Sequence, residues 1–397
     1  MAPEREFDIV VYGATGFTGR LVAEYLVARS AGGDTPGWAI AGRSRAKLEK
    51  IRSSIAAPGD LPLVVADAGD AAALRSMAER SRVVISTVGP YQLYGSQLVE
   101  ACVATGTGYV DLCGEPGWMR DMIDAHEATA RASGARIVFS CGFDSIPFDC
   151  GVQQLQKRCR EVWGKPAPRI KGRVRAMRGT FSGGTAASLK ATLAAAAKRP
   201  ALFKLLADPF ALTPGFAGPS QPNTLLPYFD PTVGAWVAPF IMAAINTKNV
   251  HRTNLLLGHA YGAGFRYDEM IVAGLGDIGK AAAEVIAKMN PLASKKGPKP
   301  GEGPSREERE SGFYDILFVA EAGGKDTLRL AVKGDRDPGY GSTSKMIAEA
   351  ALCLAQEAPE QGGFWTPGAL IGDALVTRLT EHAGLRFEIE LAPSVAA

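Results

Sequence analysis

From Phe7 to Gly142, short and nearly continuous apolar runs alternate with helical or turn stretches. The runs are Phe7 to Gly13, Trp38 to Gly42, Leu61 to Asp67, Val83 to Gly89, Tyr109 to Gly114 and Arg136 to Gly142. Strands that are apolar on both faces belong to a parallel sheet covered by helices on each side. The pattern therefore predicts a doubly wound, Rossmann-like α/β domain over residues 1–150.

Beyond residue 142 the pattern changes. A helix is predicted from Ile146 to Arg160. Amphipathic strands follow at Arg169 to Arg178, Phe265 to Val272, Tyr314 to Ala322, Thr327 to Lys333 and Leu385 to Leu391. Close alternating strands joined by turns predict an α+β domain over 151–397, built on a mostly antiparallel sheet and suited to substrate binding and dimerisation. The helix-like stretches 344–357 and 368–379 are candidates to return to the first domain. Residues 295–312, rich in Lys, Pro and Gly, read as an exposed loop. The apolar segment Ala235 to Ile245 falls short of the about 20 residues a membrane span needs and is broken by Pro239. It predicts a buried helix or a homodimer face, with a lipid-facing or acyl-lining surface as the alternative. Glu269 to Met289 predicts an amphipathic helix packed over the sheet, the alternative being a peripheral contact with the inner face of a membrane.

Candidate chemistry begins where the first run ends. Gly13-Ala14-Thr15-Gly16-Phe17-Thr18-Gly19 stands between a strand and a helix. Glycines there allow tight curvature and close backbone approach, and the helix N-terminus offers free N–H groups to a pyrophosphate. At the end of the second run, where NAD-preferring sites carry an acid, Arg43 stands instead, followed by Ser44 and Lys47. That equipment suits the 2′-phosphate of NADP(H); the plainer reading is a solvated basic cap. Asp67-Ala68 fits the adenine, and Thr87-Val88-Gly89-Pro90 lies where the cofactor crosses the sheet.

Composition adds exclusions. The 397 residues carry a formal charge of +3 with no basic block interleaved with aromatics, which argues against nucleic acid as a partner. Six cysteines without a CxxC pair read as reduced, packed thiols. His126, His251, His259 and His382 lack metal-ligand spacing and read as surface or polar-contact residues, so no metal is expected. The charged N-terminus runs directly into the first strand without a signal-peptide core, and a cytoplasmic location is expected.

Several motifs carry a resemblance. Asp8 to Gly19, Ala41-Gly42-Arg43-Ser44, Thr87 to Tyr91, Tyr109 to Glu115 and Gly142-Phe143-Asp144-Ser145-Ile146-Pro147 resemble the saccharopine dehydrogenase-like oxidoreductases. Ser182 to Thr185, Lys299 to Ser305 and Thr366 to Ala369 extend the likeness, which within that family is to the mycobacterial trans-acting enoyl reductases. The resemblance implies reduction of an acyl double bond beside polyketide synthases that lack a competent enoyl reductase domain, in cell-wall glycolipid assembly. Its substrate would be an acyl thioester or lipid-like molecule, free or held by a carrier protein.

Such chemistry needs an oxyanion donor and an acid. Tyr91 and Tyr94 follow the fourth strand, Asp144 and Ser145 the sixth, and Asp111 and Glu115 flank the end of the fifth. Tyr94, Asp144 and Tyr91 are the leading catalytic candidates; helix packing for the tyrosines and helix capping for Asp144 and Glu115 are the alternatives. The turn Ser182-Gly183-Gly184-Thr185 is either an anion-holding turn or a capped helix start. Two other functions remain open: an imine reductase using Arg173, Arg175 and Arg178, which alternate on one strand, and a catalytically silent NADP(H)-binding protein associated with lipid metabolism.

Overall fold

The computed structural model describes residues 5–33, 36–179, 188, 191–192, 194–195, 197, 199–289, 302–323 and 326–391. Its strands are β1 (Phe7–Tyr12), β2 (Trp38–Gly42), β3 (Leu63–Val65), β4 (Ser81–Ser86), β5 (Gly108–Asp111), β6 (Arg136–Val138) and β7 (Arg169–Arg178). They continue with β8 (Tyr228–Asp230), β9 (Ala235–Pro239), β10 (Arg266–Gly274), β11 (Phe313–Glu321), β12 (Thr327–Gly334), β13 (Gly363–Trp365) and β14 (Leu385–Glu390). One sheet has the order β13-β6-β5-β4-β1-β2-β3, parallel throughout. The other runs β14-β12-β11-β7-β10-β9-β8 and is antiparallel except between β7 and β10.

The first sheet forms because its strands have apolar side chains for both faces. Ile9, Val10 and Val11 are buried, as are Ala39, Ile40 and Ala41 beside them. Side-chain caps start the intervening helices: Ser44 accepts from the Lys47 N–H, and Asp70 from the Ala73 N–H at 3.0 Å. Left-handed glycines at 106, 134 and 164 end three of the helices.

The division expected after residue 150 falls within the helix Ile146–Trp163, and the C-terminal part of the chain returns to the first sheet. β13 pairs with β6, while the helix Thr343–Gln356 packs against β1, β4 and β5. Its buried Glu349 receives the Tyr25 hydroxyl at 2.6 Å, Arg29 Nε at 2.9 Å and Arg378 Nε at 2.8 Å. β13 has no counterpart among the expected strands. The segment Ala235 to Ile245 is not one helix either: Ala235–Pro239 is a strand, and the helix Ala243–Leu256 starts after it. Glu269 to Met289 likewise divides into the end of β10 and the helix Gly276–Lys288, whose Leu275, Ile278, Val285 and Met289 flank is exposed.

The helix Ala243–Leu256 crosses between the layers with Asn246, Asn249, Arg252, Thr253 and Asn254 all buried. Each finds a partner. Asn246 reaches Glu269, Asn249 reaches Ser145, and Arg252 donates to the carbonyls of Leu212 and Phe364. Asn254 serves the turn at Tyr261 and Gly262. Thr253 donates to Asp149, which also accepts from the Gly368 N–H at 2.7 Å. His251 departs from the surface role expected of it, being buried 4.5 Å from the Phe210 ring, where desolvation pushes its pKa down to about 3.

Replacing Asp149 by Ala strands the Gly368 N–H in the interior and leaves the Thr253 hydroxyl with Thr366 alone. The expected loss is about 2–5 kcal/mol of stability, read as a lowered urea midpoint with an unchanged m-value.

Candidate active site

The glycine-rich turn joins β1 to the helix Phe17–Ser30. Gly13 has φ +92°, and a Cβ there would lie 2.6 Å from Thr87 Oγ1 and 2.8 Å from Val88 Cγ2. A Cβ on Gly19 would collide with the Gly13 carbonyl, and one on Gly16 would sit 3.3 Å from the same oxygen. The two end glycines thus allow the turn and the close packing of helix on strand, as a phosphate cradle demands. Thr87 anchors the opposite side, with its N–H and hydroxyl both donating to the Tyr12 carbonyl at 3.0 and 3.1 Å. Thr15, Gly16, Phe17 and Arg20 line a cavity of about 390 Å³ whose far wall is Glu302 and Gly303.

That wall belongs to a segment grafted onto Phe17. Gly303 leaves no room for a side chain against the Phe17 ring, Tyr340 meets the ring edge-on at 4.8 Å, and the Arg309 guanidinium lies 5.6 Å from its centre. Ser305 and Glu308 form a capping box that starts the helix Arg306–Glu310, within 302–312, the described part of the loop expected over 295–312. Of the other motif expected in this half, the turn Ser182 to Thr185, all four residues lie outside the described residues.

At the other end of the cradle Arg43 stands exposed after β2, and Tyr12 lies between the fields of Arg43 and Asp67. Ser44 spends its side-chain oxygen on the helix cap, Lys47 is exposed on the first turn, and Asp67 accepts from the Gly69 N–H before Ala68 leads the chain on. Arg43, Ser44, Lys47, Asp67 and Ala68 thus all follow the ends of the paired strands β2 and β3. Val88, Gly89 and Pro90 follow β4, with Val88 packed beside Gly13 of the cradle.

The catalytic candidates separate. Tyr91 is buried against Trp118, its hydroxyl donating to the Ser86 carbonyl and accepting from the Leu112 N–H, both at 3.0 Å. It clips the end of β4 to the end of β5, which is the packing role that stands as the alternative to catalysis for this tyrosine. Asp111 is engaged similarly: the N–H groups of Cys113 and Ser140 and the Tyr109 hydroxyl all point at it. Glu115 does not cap its own helix. It receives the N–H groups of Tyr91 and Gln92, both at 2.9 Å, and the Ser188 hydroxyl at 2.7 Å, tying the second half of the chain to the β4 edge.

Tyr94 and Asp144 remain. Tyr94 is half exposed at the end of the helix Tyr91–Tyr94. Asp144 follows β6 at the same edge, 3.7 Å from where a Cβ on Gly114 would be, and desolvation pushes its carboxyl up to about 7. Its neighbours are fixed from outside the first sheet. Ser145 accepts from Asn249 at 2.7 Å, and Thr343 Oγ1 accepts from the Phe143 N–H at 3.0 Å. Sequence reasoning missed Asn249 and Thr343. For Asn249 the signal is the mostly polar stretch Asn246 to Asn254, interrupted only by Val250.

The arginines proposed for a carboxylate-rich substrate are committed elsewhere. Arg173 is fully buried, with Nε 2.7 Å from Asp230 and Nη2 2.8 Å from Asp268, and Arg175 is held by Asp315 and Glu390. Arg178 does not continue this group, since it lies beyond a bulge in the β7–β11 pairing and is exposed. A second cavity, of about 460 Å³ beside Glu127, Arg252 and Trp365, contains none of the expected site residues.

Comparison with known proteins agrees with this geometry. Residues 9–138 match the saccharopine dehydrogenase NADP binding domain. A Mycobacterium bovis trans-acting enoyl reductase is 37% identical, with 96% of this chain and 97% of the relative covered. A Mycobacterium tuberculosis protein, provisionally named as a trans-acting enoyl reductase, is 40% identical over 95% of this chain and 96% of its own. The apo saccharopine dehydrogenase (L-Glu forming) of Saccharomyces cerevisiae shares the fold, with a TM-score of 0.55 at 11% identity over 97% of this chain and 100% of that one. With a cradle shaped for a dinucleotide and full-length likeness to these reductases, the chain belongs to the saccharopine dehydrogenase-like family, in its trans-acting enoyl reductase group, and is an NADP-dependent oxidoreductase.

Proposed function

We propose that this protein is an enoyl reductase that saturates an acyl thioester destined for a lipid, acting in trans on a substrate presented by a carrier protein or by coenzyme A. The observation that carries the reading is Asp144: a half-buried carboxyl that desolvation raises to about 7, at the sheet edge where a doubly wound fold holds its reactive ligand. NADPH bound in the cradle supplies hydride. Arg43, with Ser44 and Lys47, is suited to hold the 2′-phosphate, and the amides at Thr15 to Gly19 the pyrophosphate.

The chain's own residues then have two tasks. Negative charge gathers on the thioester oxygen as the double bond is reduced, and a donor must meet it; the role is assigned to the hydroxyl of the half-exposed Tyr94. The α-carbon must then gain a proton, which Asp144 gives up, becoming a carboxylate. The engagement of Arg173 and Arg175 supports an acyl substrate over a polycarboxylate imine, because no guanidinium of β7 up to the bulge is left for a carboxylate. No helix among the described residues is long and apolar enough to cross a membrane. We infer a cytoplasmic enzyme whose exposed Leu275 to Met289 flank offers a surface for peripheral membrane contact.

Arg43→Ala should weaken NADPH binding at least tenfold and leave NADH nearly unchanged, because the lost contact of ~1.5–3 kcal/mol is made only to the phosphate. Fluorescence titration with both cofactors decides it, and equal weakening of the two would remove Arg43 from this role. With crotonyl-coenzyme A as acceptor, activity should be level at low pH and fall about tenfold per unit above pH 7, since only the protonated form of Asp144 donates. In Asp144→Asn that limb should vanish together with about 10²-fold or more of kcat, while NADPH affinity is retained. Wild-type activity in Asp144→Asn would sink the assignment.

A further inference from the structure

One wall of the cavity at the cradle comes from far along the chain. Thr15, Gly16, Phe17 and Arg20 line one side, and Glu302 and Gly303 the other. The wall is fastened in place from residue 303 onward. Gly303 lies so close to the Phe17 ring that a Cβ would collide with it. Arg309 donates to the Pro304 carbonyl at 2.7 Å, and the Asp337 N–H donates to the Arg309 carbonyl at 3.0 Å. Asp337 then accepts from the N–H groups of Tyr340 and Gly341, and Tyr340 is the ring that meets Phe17 edge-on. Phe17 is also the first residue of the helix that opens at the cradle. The segment is thus tied to the phosphate-binding turn itself, and Glu302 is carried to the cavity by its neighbours.

A carboxylate at this place needs a reason. The amides of the cradle suit a pyrophosphate, and a second anion in a cavity of about 390 Å³ repels it. Arg20 lines the same cavity and offsets part of that repulsion, although it also faces Glu24 at 3.6 Å. What a carboxylate does well is accept from two O–H groups at once, one on each oxygen. In a dinucleotide the group with two adjacent O–H donors is a ribose diol. NADP(H) has only one of these, because its adenosine ribose carries phosphate on the 2′-oxygen. That end of the cofactor is assigned to Arg43, which does not line this cavity. The intact diol belongs to the ribose that bears the nicotinamide.

We propose that Glu302 accepts the two hydroxyls of the nicotinamide-side ribose, so that the segment 302–312 completes the cofactor site and fixes one half of NADP(H) while Arg43 fixes the other. The proposal rests on NADP(H) lying in the cradle and is independent of which acceptor is reduced. Glu302 is a cofactor-binding residue that acts through hydrogen bonds alone. Gly303 is a positioning residue, since the missing side chain lets the wall close on Phe17. The second half of the chain therefore contributes to the cofactor site as well as to the substrate side.

The test is a calorimetric titration of the full-length protein with NADPH, NADH, 2′-phospho-ADP-ribose and 2′,5′-ADP. The third ligand keeps the pyrophosphate and the distal diol but lacks the nicotinamide, and the fourth has neither pyrophosphate nor diol. Glu302→Ala should weaken NADPH, NADH and 2′-phospho-ADP-ribose at least fivefold each, while 2′,5′-ADP stays within about twofold of wild type. Arg43→Ala should give the converse pattern, weakening 2′,5′-ADP and sparing NADH. Gly303→Val, which pushes the wall off Phe17, should reproduce the Glu302→Ala pattern with the carboxylate still present. Retained affinity for 2′,5′-ADP shows in each case that the fold is intact. NADPH binding that is unchanged or tighter in Glu302→Ala would overturn the proposal, the tighter result meaning that the carboxylate only repels the pyrophosphate. An equal loss for 2′,5′-ADP would overturn it as well, since that fragment has no diol to lose. A wild type that binds none of the four would instead overturn the assignment of the cradle to NADP(H), and the role of Glu302 with it.

Discussion

The polar face that the helix Ala243–Leu256 buries is the constraint on which the rest of the structure depends. Asn246, Asn249, Arg252, Thr253 and Asn254 have all left water, and each must be met by a partner at the correct place. Those partners are drawn from both sheets and from the connections between them: Glu269 on β10, Ser145 and Asp149 after β6, the Phe364 carbonyl in β13, and the turn at Gly262. Sliding one layer over the other would strand several of these groups at once. An apolar contact would tolerate such a slip; this one fixes the register of the two layers, and with it the place of Asp144.

The same logic assigns the carboxyls. Asp111 and Glu115 look equivalent to Asp144 as acids near the edge of a parallel sheet, but their surroundings separate them. Asp111 is surrounded by N–H and O–H groups that need an acceptor, and Glu115 fastens the start of the helix Tyr91–Tyr94. Desolvation raises Asp111 and Asp144 alike, to about 7; what separates them is that three donors occupy Asp111, whereas Asp144 is half buried and its carboxyl is met, among the described residues, only by its own backbone.

Legibility in the sequence followed what local patterning can encode. β1 and β2 stand out because every position but Asp8 is apolar and a glycine ends each run, and the cradle because φ > 0 at Gly13 and close packing at Gly13 and Gly19 leave only glycine. The strand β13 is three residues long and pairs with β6, more than 200 positions away, so no local period announces it. The segment Ala235 to Ile245 looked like one apolar element because composition does not show where a strand hands over to a helix. Tyr91 and Tyr94 differ by one helical turn in sequence, yet one meets the Ser86 carbonyl and Trp118 while the other is half exposed. The arginines of β7 seemed available because their acidic partners, Asp230, Asp268, Asp315 and Glu390, are scattered along the chain.

The late arrival of β13 has a consequence for how this chain is made. Until Gly363–Trp365 leaves the ribosome, β6 is an open edge of the parallel sheet, with N–H and C=O groups free to pair with any other strand. The helix Thr343–Gln356, which covers β1, β4 and β5, is also still to come. The dinucleotide-binding half is thus complete in sequence long before its sheet is covered. It is a poor candidate for an autonomous fragment, and the burden of protecting that edge during synthesis falls on chaperones or on speed.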